Sequence, residues 1–261
     1  MTYLAWLLVI SAFFALVERL RPARPAQPVF RKQLLNDLVY LVFNGHVYSI
    51  VTTGIVLSVA NWTRLQLDAL GILPASTLLT GKPLIVQALV YFVVSDFLQW
   101  CVHNLLHRVP FLWQFHKLHH SVKEMDWAAN FRFHWMEHVV YKSLLYVPLL
   151  FLGGEFEALF WVYVAGTFWG HFNHSNLNVS IGPLRYLFNS PRMHMWHHDQ
   201  STEGGPYKNF GIVLSLWDWL FGTVFWPRER PPQEIGYAGE EELPRNLLGQ
   251  FAFPLTRRRS E

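Results

Sequence analysis

Long apolar runs separated by short charged segments dominate the first hundred residues. Apolar side chains fill residues 1–17, 34–60 and 84–102 almost without interruption. Each run is close to the ~20 helical residues that cross a bilayer. Two shorter runs, 139–152 and 156–169, predict a helical hairpin that passes through the membrane fully or in part. The pattern predicts an all-α integral membrane bundle of about 4–5 helices.

Charged residues predict the orientation of this bundle. Five cations surround the Pro-rich turn after the first apolar run: Arg19, Arg21, Arg24, Arg31 and Lys32. By the positive-inside rule this turn is cytoplasmic and the N-terminus lies outside. Positive charge follows the first run instead of preceding it, which favours a retained membrane helix over a signal peptide. We therefore expect a multi-pass protein.

Composition limits the class of protein and the chemistry. Only 15% of the 261 residues are charged, well below the ~25% of soluble domains. A net charge of +3 gives no reason to expect a nucleic acid partner. The single cysteine, Cys101, excludes an internal disulfide and a cysteine-based metal cluster.

We expect one domain over 1–261, with membrane helices in 1–60 and a catalytic core at about 84–226. Asp218 interrupts the apolar run 210–226, which predicts an interfacial helix there. Residues 227–261 are polar and predict a solvated cytoplasmic tail that ends in three consecutive arginines.

Histidines are concentrated in four short motifs. Ten of the 13 fall in HNLLH, HKLHH, HFNH and HMWHH. Spacings of three and four residues place each set on one face of a helix. The ten are His103, His107, His116, His119, His120, His171, His174, His194, His197 and His198.

Imidazoles in this arrangement indicate a metal site. A neutral imidazole binds zinc, iron, copper or nickel, so the spacing indicates metal without choosing among these. One zinc ion takes about four ligands, so ten histidines fit two ions with about five each. Two other interpretations are hydrogen-bonded core histidines and a metal store or transporter with histidines along an ion path.

Polar residues inside the apolar runs should face protein. We expect this of Asn36, Asp37, Asn44 and His46, and we read His46 as a packing histidine. Asp96 lies two turns before His103, so it either accepts a proton from a ligand imidazole or pairs elsewhere.

The four histidine motifs, in this order, resemble the membrane-bound fatty acid hydroxylase/sterol desaturase superfamily of diiron proteins. The resemblance extends from about His103 to Thr223 and implies two iron ions, O₂ as cosubstrate, and hydroxylation or desaturation of a lipid. Arg108, Lys117, Lys123 and Arg132 surround the first histidine motifs, which predicts a histidine-rich helical cap on the cytoplasmic side of the bundle. Asn130, Arg132, His134 and Glu137 match the family's N-x-R-x-H-P-x-E element, except that Trp135 replaces the proline. Further matches with supporting roles are Asn173, Asp199, Asn209, Trp217 and Asp218.

The reaction implied by this resemblance requires electrons from another protein. The sequence contains no G-x-G-x-x-G fingerprint and no cysteine set for an iron–sulfur cluster. We expect a separate ferredoxin- or cytochrome-type donor with its reductase. Arg132, Lys117 and Lys123 are candidates for docking an acidic donor.

Overall fold

A computed structural model describes residues 2–71, 78–179, 181–201, 203–227 and 231–255, apart from the side chains at 146–148 and 150. Regular structure in this part of the chain is helical, and pairing between extended segments is limited to three isolated bridges. The predicted all-α class is confirmed. The α-helices are α1 (Tyr3–Leu20), α2 (Leu34–Val42), α3 (Tyr48–Ala69), α4 (Leu84–Arg108), α5 (Pro110–His120), α6 (Trp135–Leu150), α7 (Phe156–His174), α8 (Pro191–His197), α9 (Leu216–Phe221) and α10 (Leu247–Ala252).

Three helical segments of the described chain are long and apolar enough to cross a bilayer: Tyr3–Leu20, Leu34–Ala69 and Leu84–Arg108. Large apolar side chains point outward along them, as Leu16 (62% exposed) and Ile85 (66% exposed) illustrate. Such exposed apolar surface suits contact with lipid. The helices α6 and α7, of 16 and 19 residues, correspond to the two shorter apolar runs, and both pack against α4.

The second membrane segment is longer than predicted, because helix continues to Ala69 instead of ending near residue 60. A π-helical turn, Phe43–Val47, joins α2 to α3. It brings Asn44 against the 3₁₀ turn Trp127–Phe131, where its carboxamide donates to the carbonyls of Phe131 (2.9 Å) and Phe133 (2.7 Å). Asp37 and Asn44 are fully buried, so both face protein as predicted.

Two helices start at the histidine end of the bundle with proline in the first turn. Val109 adopts an extended conformation and ends α4, and Pro110 begins α5. Ser190 caps α8, and Pro191 follows it. Proline suits a first helical turn because the N–H it lacks would be unpaired there. Both helices carry an HxxHH motif, and α7 packs against α1, α4 and α8.

The predicted interfacial helix over 210–226 is wrong, because only α9 is helical in this region. The backbone before α9 is instead held by two buried carboxylates. Asp218 accepts the N–H groups of Phe210 and Gly211, and Asp96 accepts those of Val213 and Leu214. These four N–H groups therefore bond to side chains instead of forming a helix.

The prediction of a solvated tail is also wrong for residues 231–255. Ile235, Tyr237, Leu243 and Phe253 are buried against the rest of the protein, and α10 packs beside Tyr40 of α2. The arginines at 257–259 lie outside the described residues.

Candidate metal centre

Nine of the ten predicted histidine ligands lie in two adjacent groups. In each group, one ring nitrogen of every member lies within 4.8 Å of the others. The rings of His120 and His198, one from each group, stack with centroids 4.3 Å apart. The five-histidine group is His103, His107, His116, His120 and His197, and the four-histidine group is His119, His174, His194 and His198.

The two HxxHH motifs contribute to the groups in alternation. On α5, His116 and His120 enter the five-histidine group, and His119 enters the other. On α8 and at its C-cap, His194 and His198 enter the four-histidine group, and His197 enters the other. In a helix, residue i+4 lies about 40° from residue i, while i+3 lies about 60° away on the opposite side. Each motif therefore presents histidines to two neighbouring sites.

Backbone carbonyls orient four of these rings. The Nδ1 atom of His103 lies 2.8 Å from the carbonyl oxygen of Phe210, and that of His197 lies 2.8 Å from the carbonyl of Lys208. His119 and His174 make the same contact with the carbonyls of Arg132 (3.1 Å) and Gly170 (2.8 Å). A carbonyl only accepts, so Nδ1 carries the hydrogen and Nε2 of the neutral ring carries a lone pair.

These tautomers bring lone pairs face to face. Nε2 of His119 lies 3.2 Å from Nε2 of His174, which lies 3.0 Å from Nε2 of His194. The His119 and His174 lone pairs repel each other unless a cation lies between them. Ligand nitrogens about 2.1 Å from one ion lie about 3.0–3.4 Å apart, so the spacing fits a shared metal ion. In the other group, the Nε2 atoms of His103 and His197 are buried and have no hydrogen-bond partner among the described residues.

Burial keeps the imidazoles in the form that binds metal. It lowers the pKa of His119, His120, His194 and His198 well below the ordinary value, and neighbouring imidazoles lower it further. Burial is also the main cause that lowers the pKa of His197, to about 3. These five rings are therefore neutral at neutral pH, and both groups fit a divalent ion.

Glu137 of α6 lies next to the five-histidine group, with its Oε1 2.9 Å from Nδ1 of His116. The carboxylate therefore places negative charge beside this group of histidines. The other oxygen of Glu137 is buried without a hydrogen-bond partner among the described residues.

His171, the tenth predicted ligand, is not brought into either group. Its Nδ1 lies 2.9 Å from the carbonyl of Thr167 and its Nε2 lies 3.1 Å from Oγ of Ser11 on α1. The carboxamide of Asn130 lies 3.1 Å from Nδ1, and the ring stacks on Trp127. His171 thus joins α1 to α7, while His174 faces the other histidines.

Arg132 and His134 have different roles in the structure. Arg132 is buried and pairs through Nε with Asp37, and its own carbonyl accepts from His119. Nδ1 of His134 accepts the N–H of Met136, so Nε2 donates to the carbonyl of Phe251 at 2.9 Å. Trp135 donates to the same carbonyl at 3.0 Å. At the position where proline is usual, Trp135 therefore helps to hold the C-terminal segment.

Two carboxylates act on the site through the loop 209–215. Asp218 accepts the N–H of Phe210, whose carbonyl orients His103, and it also accepts from Trp100 at 3.0 Å. Asp96 accepts from Trp217 at 2.8 Å and from the loop backbone. Asp96 makes no hydrogen bond to a histidine in the described structure, so its partner is this loop.

The remaining residues with predicted supporting roles form hydrogen bonds that stabilise the loops around the histidines. The carboxamide of Asn173 donates to the carbonyl of Ile212 at 2.6 Å. Asn209, at a positive φ of 55°, donates to the carbonyls of Met193 and Phe225. Asp199 accepts from Nζ of Lys208 at 3.0 Å, next to the Lys208 carbonyl that orients His197.

The predicted docking of an electron donor on Arg132 and Lys117 is wrong for these two side chains. Both are buried, at 1% and 4% exposure. Arg132 pairs with Asp37, and Nζ of Lys117 lies 4.5 Å from the ring centroid of Phe253. Lys123 is accessible, with a side chain 43% exposed beside Glu240.

A cavity of about 220 Å³ lies against both histidine groups, between α4, α6 and α7. Its lining combines histidines at one end with apolar side chains from α6 and α7 at the other. The grouped histidines in the lining are His103, His116, His119, His174 and His194, and the apolar residues include Leu145, Leu149, Leu159 and Val162.

Sequence reasoning missed two features of this site. One is the ion pair that Asp37 forms with Arg132, which links segments 95 residues apart. The other is Lys142, which lines the cavity. A lone cation in the apolar run 139–152 was the available signal, because ionisable residues in membrane segments are costly and usually functional.

Comparison with known proteins agrees with this geometry. A family model described as fatty acid hydroxylase matches residues 88–223, just over half of the chain. Ornithine lipid hydroxylase OlsE of Rhizobium tropici is 33% identical over 177 residues, 67% of this chain and 52% of that protein. Alkylglycerol monooxygenase is 26% identical over 166 residues in Caenorhabditis elegans, covering 60% of this chain and 30% of that protein. The human alkylglycerol monooxygenase is 30% identical over 135 residues, covering 51% and 29%.

This chain therefore spans about half the length of the first relative and under a third of the others. No solved structure matches it significantly. The family model covers α4 to α9, the region that holds all nine grouped histidines. The chain belongs to the fatty acid hydroxylase family.

Proposed function

We propose that this protein is a membrane-embedded oxygenase that uses two iron ions, O₂ and external electrons to oxidise a C–H bond of a lipid. One observation carries the proposal. Two adjacent groups of neutral imidazoles, with lone pairs directed at each other, meet a cavity that extends between membrane helices. Histidine groups alone would also suit a metal store. A cavity lined by Leu145, Leu149 and Leu159 suits an apolar substrate.

The nine grouped histidines would hold the ions, five at one position and four at the other. When bound, the iron pair supplies the activation of O₂ and the removal of hydrogen from an unactivated C–H bond. The protein's own residues fix the ligands before the metal arrives. The carbonyls of Phe210, Lys208 and Arg132 hold His103, His197 and His119. Glu137 lies beside His116.

Hydroxylation is the reaction that the relatives favour. The R. tropici protein is named a lipid hydroxylase, and the C. elegans and human proteins are named monooxygenases. Desaturation would need the same ligands and the same cavity. Identifying the product as an alcohol or an alkene therefore distinguishes the two reactions. We infer that the substrate enters from the bilayer, because helices with exposed apolar faces enclose the cavity.

We infer that the histidine end faces the cytoplasm. The Arg-rich turn after α1 lies beside the end of α7, where the N–H of Ala23 donates to the carbonyl of Asn176. Pro22 also bridges to Leu177. If this turn is cytoplasmic by the positive-inside rule, so is the metal centre. A separate ferredoxin- or cytochrome-type donor with its reductase would then approach from the same side, where Lys123 is accessible.

The test uses purified protein in lipid nanodiscs, loaded with iron and supplied with a chemical or ferredoxin-type reductant. The expected result is two irons per chain, O₂ consumption that depends on added lipid, and a product that carries one atom from ¹⁸O₂. His119→Ala and His197→Ala, one from each group, should abolish turnover. Two tightly bound irons without lipid-dependent O₂ consumption would instead indicate a metal-binding protein and overturn the proposal.

A further inference from the structure

A small polar cluster interrupts the apolar wall of the cavity. Lys142 and His138 lie one turn apart on α6, each 5% exposed, and both line the cavity with Tyr163 of α7. Nζ of Lys142 lies 4.4 Å from the ring centroid of Tyr163. The hydroxyl of Tyr163 lies 3.0 Å from Oγ of Ser49 on α3.

Lys142, the charged member of this cluster, is set apart from the metal centre, while His138 directly follows Glu137 on α6. Lys142 lies five residues beyond Glu137, about 7–8 Å along the helix axis. On the other side of Lys142 the wall becomes apolar at Leu145 and Leu149. The cluster therefore lies between the histidine end and the apolar end of the cavity.

The ammonium group of Lys142 and the Nε2 atom of His138 are both available to interact with a ligand in the cavity. Glu137 and Lys142 are the charged residues among the described lining, and the carboxylate of Glu137 already contacts His116 at 2.9 Å. Nε2 of His138 is buried and has no hydrogen-bond partner among the described residues. A cation in a membrane-embedded cavity is costly, which favours a functional role. An unpaired buried imidazole nitrogen adds to that cost.

We propose that Lys142 and His138 bind an anionic oxygen group, a carboxylate or a phosphate, on the lipid that enters this cavity. An ammonium group makes charge-assisted hydrogen bonds to either anion. Lys142 is about 7–8 Å from Glu137 along α6 and His138 is closer, so the carbons next to an anion bound between them lie nearest the histidines. The inference rests on the proposed function, because it takes the cavity to be the lipid site.

The test is equilibrium binding of radiolabelled lipids to iron-loaded protein in nanodiscs, measured by scintillation proximity. Three probes with the same chain length distinguish the chemistry: palmitate, 1-palmitoyl lysophosphatidate and the uncharged 1-hexadecanol. Lys142→Met should weaken binding of at least one anionic probe about tenfold or more. It should leave hexadecanol binding within about twofold. The anion that loses more affinity identifies the carboxylate or the phosphate as the recognised group.

Matched variants separate recognition from packing. Lys142→Arg keeps the charge and should retain most of the anion affinity, and His138→Phe should lose part of it. Lys32→Met makes the same change at an exposed lysine and should leave all three affinities unchanged. Thermal unfolding of each variant verifies that it folds.

Two results would overturn the inference while the proposed function stands: unchanged anion binding in Lys142→Met, or equal loss for hexadecanol and the anions. A wild-type protein that binds none of the three probes would reject the cavity as the lipid site, and both proposals would fail.

Discussion

Asp37 and Arg132 form a buried ion pair that ties the second membrane segment to the metal centre. Asp37 is fully buried on α2, and Arg132 is 1% exposed. Asp37 also pairs with Arg31 at 2.5 Å, and Arg31 binds Asp126 through two hydrogen bonds of 2.6 and 2.7 Å. The carbonyl of Arg132 orients His119. A residue outside the matched family region thus acts on a candidate ligand inside it.

Asp37→Asn should destabilise the protein and weaken metal binding by the four-histidine group. Removing one partner of a buried pair leaves uncompensated charge, which costs about 3–5 kcal/mol. Two arginines depend on this carboxylate, so we expect the upper part of that range. Thermal unfolding and iron titration in nanodiscs measure the two effects.

Lys123→Gln is the matched control for this change. Its pair with Glu240 at 2.7 Å is partly exposed, and such surface pairs contribute about 0–1 kcal/mol. If Asp37→Asn and Lys123→Gln unfold at similar temperatures, the buried network does not stabilise the fold as argued.

The alternation of the HxxHH motifs predicts that neighbouring histidines act on different ions. His174→Ala with His194→Ala leaves two histidines in one group and five in the other. Because this change removes half of the ligands of the four-histidine group and none of the other, we expect one iron to be lost and the other retained at wild-type affinity. His197→Ala with His198→Ala removes one ligand from each group and should weaken the binding of both ions.

Iron titration followed by elemental analysis distinguishes the two patterns. The same binding curve for both double variants would reject the alternation.

His171 provides a test within a single motif. His171→Ala should keep two irons per chain, because its ring contacts Thr167 and Ser11 instead of the grouped histidines. It should lower stability by about 1–3 kcal/mol, since it leaves buried partners without hydrogen bonds. Ser11→Ala, which removes the Nε2 contact alone, should cause a smaller loss. Iron content and unfolding temperature are the measurements. A loss of iron equal to that of His174→Ala would make His171 a ligand.

The sequence predicted the helical class and the clustering of histidines because both are local patterns. An apolar run indicates burial or contact with lipid. Histidines three or four residues apart are expected on one face of a helix. The outcome for His171 shows the limit of this reasoning. HFNH predicts that His171 and His174 share a face, but α1 supplies Ser11 to one of them and α5 supplies His119 to the other.

The errors in the C-terminal third have a related cause. The run 210–226 has helical composition, but carboxylates of Asp96 and Asp218 compete for its backbone N–H groups. The tail is polar on average, yet Ile235, Leu243 and Phe253 are enough to anchor it. The contacts of Asp96 and of the tail join residues far apart in the chain, so no local sequence pattern indicates them.

Acid should loosen the docking of the C-terminal segment on α6. Nδ1 of His134 accepts the N–H of Met136, and this contact requires the neutral ring. Nε2 can donate to the carbonyl of Phe251 in either protonation state, but the Met136 contact that orients the ring is lost on protonation. Burial lowers the pKa of His134 below its ordinary value of 6.5. The unfolded chain therefore binds more protons than the folded chain as the pH falls below about 6.5, and the stabilisation present above that pH is lost.

Hydrogen–deuterium exchange of residues 243–253, corrected for the intrinsic pH dependence of exchange, measures this loosening. Protection should fall between pH 7 and pH 5, because a protonated Nδ1 points a hydrogen at the N–H of Met136. His134→Gln cannot titrate, so its protection should be lower at pH 7 and nearly independent of pH. Trp135→Phe loses only the second contact to Phe251 and should keep the pH dependence at reduced protection. A wild-type segment whose protection is the same at pH 5 and pH 7 would show that the charge on His134 does not control its docking.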